Sequence, residues 1–185
     1  MVNVRSILVY LSKPMVPTQP ITDTLIQDSI VKAVQNVSRT MLRQEATLLE
    51  ARLSDVSCNS LTTLGAAPYV IGNVGFAGEA NGLVYLCFTD AFARHAASHI
   101  LGMSAAEIEI HGHEVVKDVV GEITNMTTGG FKNALSDYGF PCKLSLPTIV
   151  RGDHLSIAAI KSASRGIFHF SSGNYRLIAD VQVKI

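Results

Sequence analysis

A chain of 185 residues with 48% hydrophobic content is near the size of one domain and can bury a contiguous core. Lysine plus arginine equals aspartate plus glutamate at 15 each, so no basic field concentrates a polyanion and nucleic acid is excluded as the expected main partner. The three cysteines, Cys58, Cys87 and Cys142, show no CxxC or Cys/His ligand spacing and read as reduced thiols, while no apolar run suits a signal peptide or a membrane span, so the expected location is cytoplasmic.

Residues 1–21 carry Pro14, Pro17 and Pro20 around a short β-prone run. They read as an N-terminal extension, a strand or arm, ahead of a single domain over 22–185. Asp23 can cap a long helix in which Leu25, Ile26, Ile30, Val34, Val37, Met41 and Leu42 recur at three- and four-residue steps to about Arg43. Residues 69–76 and 82–88 are β-rich and flank a turn-forming 78–82, which predicts a hairpin. Helical spacing returns over 90–101, with Gly102 placed to end it. Ser104 and Glu107 match a capping box, and a second long helix is predicted over 113–136, with Val116, Val119, Val120, Ile123, Met126 and Ala134 on its apolar side. Further strands are expected over 143–150, 155–160, 166–170 and 175–185. The fold class is therefore α+β, with two long helices packed on an antiparallel, mostly six-stranded sheet.

Asp118, Glu122 and Asn125 stand at i, i+4 and i+7 on the second long helix, within about 60° of one another at 100° per residue. The apolar residues centre about 120–160° away, so this stripe faces solvent or a partner. Gly129 continues it one turn on. A glycine there costs about 1 kcal/mol relative to alanine, and a flat surface that admits another backbone is a physical reason to keep it; Gly121 and Gly130 flatten the neighbourhood further.

The run from Asp118 through Glu122 and Asn125 to Gly129, followed by Pro147 at 22 positions after Asn125, resembles the CheX/CheC/FliY family of chemotaxis phosphatases. Their signature is an acidic residue or serine, three residues, glutamate, two residues, asparagine, and proline 22 positions later. The stretch 146–152 also resembles the strand entry of CheX proteins. CheC-like relatives carry the motif in both long helices; here Ala33 stands where the glutamate preceding Asn36 would be, so one active helix remains and the resemblance is to CheX.

That resemblance implies a phosphatase of the aspartyl phosphate of a CheY-like response regulator in chemotaxis or related two-component signalling. It implies Glu122 and Asn125 as catalytic residues: Glu122 pairs with the regulator's active-site lysine, and Asn125 enters its active site and holds water in line with phosphorus. Asp118, Gly129 and Pro147 would belong to the partner-binding surface. No cofactor is expected on this chain, and Mg²⁺ is expected on the regulator. The resemblance also implies a homodimer associated through the sheet. It leaves open a non-catalytic adaptor that binds a regulator or a flagellar-switch component.

Other constellations carry less. His111, His113 and Glu114 lack a further ligand at a recognised spacing, and His95 with His99 at i, i+4 reads as incidental, so no metal is assigned. The glycines of 72–78 lack the lysine and helix start of a phosphate loop and read as close packing or a bulge. Residues 171–173 read as a turn.

Overall fold

The computed structural model describes residues 20–53 and 59–184. The expected N-terminal extension, apart from its last two residues, and Cys58 lie outside them. Three α-helices, α1 (Asp23–Met41), α2 (Asp90–Leu101) and α3 (Ala105–Asp137), and a short 3-10 helix (Ser60–Thr63) accompany seven strands: β1 (Ala46–Leu53), β2 (Tyr69–Gly78), β3 (Asn81–Thr89), β4 (Cys142–Leu144), β5 (Thr148–Gly152), β6 (Ser164–Ser172) and β7 (Tyr175–Lys184). The sheet runs β1-β6-β7-β3-β2-β4, with β5 also paired to β2, and every pairing is antiparallel. The α+β arrangement of two long helices on an antiparallel sheet is present.

Strand alternation sorts the side chains into two cores. On β7, Leu177, Ala179, Val181 and Val183 join the large core under the helices, whereas Ile178 joins a smaller core on the opposite face with Leu61, Leu64, Ile71, Cys87, Ile157 and Ile167. Beneath that second face Arg165 and Asp180 form a buried ion pair, to which the Ser60 hydroxyl also donates. Cys87 and Cys142 are free and buried.

Helix α1 is capped by Thr22, not Asp23: the Thr22 hydroxyl accepts from the Leu25 N–H at 3.1 Å. Asp23 sits in the first turn, where its charge still favours the helix dipole. At α3 both bonds of the Ser104–Glu107 capping box form. Gly112, at φ +68° and ψ −151°, kinks α3, so the straight segment starts where the sequence placed the second long helix.

Strand β1 lies where the sequence pattern predicts none. A register shift between Leu48 and Glu50 breaks its two-residue period, and it is an edge strand with Glu50 and Arg52 exposed. The strand expected over 143–150 is two strands, because Pro147 has no N–H for the ladder; Ser145 bridges the gap by bonding Gly75 through both its backbone N–H and its hydroxyl. Residues 155–160 are not a strand. Their backbone is satisfied by side chains instead: the Ile160 N–H donates to Gln182 Oε1 at 2.6 Å, while the Ala158 and Ile157 carbonyls accept from Gln182 and Arg165.

Candidate active site on helix α3

What seats α3 on the sheet is close contact at Gly72 of β2. A Cβ there would lie 2.1 Å from the Thr124 hydroxyl oxygen, so only glycine lets the helix approach this far. Thr124, Thr127 and Thr128 are buried on the inward side of α3, and the hydroxyls of Thr124 and Thr128 are satisfied by the carbonyls of Val120 and Thr124 at 2.7 and 2.8 Å. Met126, expected on the apolar side, is instead 39% exposed. By helix arithmetic it lies about 40° from Glu122, on the outward face.

The polar stripe therefore points away from the sheet. Asp118 and Glu122 are exposed, and Asn125 and Gly129 are half-buried. Among the described residues neither carboxylate has a hydrogen-bond or ion-pair partner. A Cβ on Gly129 would meet no described residue within 4 Å, so the surface beside Asn125 is open among the described residues. Gly130, by contrast, faces Ala33 at 3.2 Å and sets the approach of α1; Gly121 faces Pro147 and Ile149, both at 3.8 Å. Pro147 is thereby brought to Gly121, which stands four residues before Asn125 on the same flank. The chain fold gathers Asp118, Glu122, Asn125, Gly129 and Pro147 on one surface, bordered by Leu146 at 87% exposure.

Two features of this surface had no sequence signal. The first is a recess of about 300 Å³ at one side of the stripe, lined by Met41, Ile100, Leu101, Val115, Asp118, Val119 and Glu122. It shares Met41, Ile100 and Leu101 with a second recess that reaches Arg43 and His99. Its walls come from the ends of α1 and α2 and one side of α3, which only the tertiary fold brings together. The second feature is a charged clasp. Asp90, the first residue of α2, accepts from Arg94 and from Arg151 of β5, each at 2.7 Å, and Arg94 also reaches Glu109. Burial alone would raise the Asp90 carboxyl, but the two guanidinium groups outweigh it and hold the group below its usual range. The clasp fixes β5, the strand that directly follows Pro147.

His95 accepts from the Gln44 amide and stacks on Tyr175 at 4.8 Å, in keeping with a structural histidine. Gly173, at φ +57°, makes the β6–β7 turn, although Ser171 and Ser172 belong to β6. No group of three or more His, Cys, Asp or Glu is arranged to hold a metal among the described residues, and no helix there is long and apolar enough to cross a membrane.

The sequence model of the family described as chemotaxis phosphatase CheX matches residues 70–171 of this chain. No curated protein matches. Among solved structures, a CheC-like superfamily protein from Shewanella sp. PV-4 is 26% identical and superposes with a TM-score of 0.74 over 89% of this chain and 100% of its own. The chemotaxis protein CheX of Vibrio vulnificus is 25% identical, with a TM-score of 0.71 over 86% and 99%. A structure from Borrelia burgdorferi, the complex of CheX with CheY, BeF3 and Mg²⁺, shares the fold at 20% identity and a TM-score of 0.67, over 86% and 98%.

Proposed function

The chain belongs to the CheX family of chemotaxis phosphatases, and from that premise we propose that it hydrolyses the aspartyl phosphate of a CheY-like response regulator, with Glu122 and Asn125 as its catalytic residues. The observation that carries the reading is the α3 stripe itself. It presents two carboxylates without partners among the described residues and an amide on an open helix face, with Pro147 at its flank.

The chemistry asks little of this chain. An acyl phosphate has a good leaving group, and the regulator brings the phosphoaspartate and the Mg²⁺, as the CheX–CheY–BeF3–Mg²⁺ complex from Borrelia burgdorferi illustrates for that pair. A water oxygen bonds to phosphorus as the bond from phosphorus to the aspartyl oxygen breaks. Inorganic phosphate leaves, the aspartate carboxylate is regenerated, and the proton from water passes to phosphate or solvent. What remains is placement of the water. The Asn125 amide both accepts and donates, so it orients water at any working pH, whereas a carboxylate there would repel the phosphoryl oxygens. Glu122, one turn away, supplies the anion for a lysine of the regulator and fixes the docking register. A hundredfold acceleration needs about 2.7 kcal/mol off the barrier, within reach of one placed amide and one ion pair. Asp118, Gly129 and Pro147 complete the contact surface.

The test is release of inorganic phosphate from Mg²⁺-loaded, phosphorylated receiver domains of the same cell, with and without this protein. Accelerated release supports the reading. Binding without acceleration replaces it with an adaptor.

A further inference from the structure

The recess beside Asp118 and Glu122 combines two chemistries that one type of side chain matches. Its floor is aliphatic, from Ile100, Leu101 and Val115, with Leu101 left 48% exposed. Its rim on the α3 side consists of two carboxylates that no described cation neutralises. On the far side the adjoining recess carries Arg43 and His99. An aliphatic occupant would leave the carboxylates unmatched, and an acidic one would be repelled by them. Lysine and arginine alone carry a long apolar stem under a cationic head. Arg43 gives the pocket a direction, because a cation entering there places its head toward α3. Asp118 and Glu122 are about 6 Å apart along the helix axis, room for two separate cations.

We propose that this recess is a specificity pocket for a second cationic side chain of the docked receiver domain, whose stem lies on Leu101 and Val115 and whose head pairs with Asp118. This rests on the reading of the α3 stripe as the docking surface and adds what the partner must carry: two cations, one for each carboxylate. The charge complementarity would select among receivers that share the same phosphorylation chemistry.

The experiment titrates receiver domains of the same cell, locked with beryllium fluoride and Mg²⁺, against the wild type, Asp118→Lys, Asp118→Glu and Leu101→Asp, and separately measures phosphate release by the wild type from the same receivers when phosphorylated. Asp118→Lys and Leu101→Asp should each raise Kd about tenfold or more. Asp118→Glu should bind close to wild type, so that charge and not side-chain length separates the two Asp118 variants. Both positions are exposed, and Asp118→Asn replaces the reversal if that variant does not fold. Unchanged Kd in the variants while the wild type still hydrolyses the phosphate overturns the pocket and leaves the phosphatase reading standing. A wild type that binds no receiver overturns both. Loss of self-association with unchanged receiver affinity would make the recess an interface between copies of this chain, and would also overturn the proposal.

Discussion

Charged groups appear in opposite settings on the two faces of this molecule. On the face opposite the long helices, Arg165 is 4% and Asp180 0% exposed, each the other's counter-charge, with Ser60 and the Ile157 carbonyl also bonded to the pair. On α3, Asp118 and Glu122 are exposed beside an apolar recess, and no described residue is paired to them. The buried pair holds loop to sheet and has no access to a partner. The exposed carboxylates contribute nothing visible to the fold and are free to meet one. Burial with complete pairing marks structure, and exposure without pairing beside apolar surface marks recognition.

Breaking the first setting should have the largest effect on stability. Arg165→Met leaves Asp180 buried without its counter-charge, and a loss of about 3–5 kcal/mol is expected in denaturant unfolding. In the second setting the effect should fall on the reaction with the partner and leave stability unchanged. Asn125→Ala should slow phosphate release about a hundredfold, or 2.7 kcal/mol, with an unchanged melting temperature; a parallel loss of stability would mean that the amide is structural.

The Asp90 clasp lies between the two cases, partly buried and paired. Asp90→Asn should cost about 1–3 kcal/mol. Because the folded carboxyl lies below its ordinary value of 3.8, the clasp's contribution is complete above that pH and fades as pH falls through the lower folded value. The wild type should therefore lose stability faster than Asp90→Asn on acidification below about pH 4, measured by thermal melts across pH. The smallest effect is expected at Gly129. Its Cβ position is empty, so Gly129→Ala should stabilise the helix by up to about 1 kcal/mol while weakening receiver binding, which equilibrium titration would detect.

The stripe could be read from the chain because helical period alone places residues 118, 122, 125 and 129 together, and the Ser104 box announces the helix. Pro147 came into the site only through the family resemblance; the structure supplies its physical seat at Gly121. Strand β1 escaped notice because its bulge destroys the alternation on which strand reading depends. Residues 155–160 misled for the opposite reason. They form a short apolar run of strand length, and Ile157 does face a core, but their backbone partners are the side chains of Arg165 and Gln182. The threonines of α3 read as polar, yet local bonds to the preceding turn let two of them sit satisfied in the core. The recess had no local signal, since its residues span 41 to 122 and meet only at the ends of helices.

The most direct measurement is the dephosphorylation rate of a phosphorylated CheY-like receiver, with Mg²⁺, in the presence of wild type, Asn125→Ala or Glu122→Ala. The account predicts acceleration by the wild type, loss of kcat with modest loss of affinity in Asn125→Ala, and loss of affinity as well in Glu122→Ala. Full activity in Asn125→Ala would contradict it.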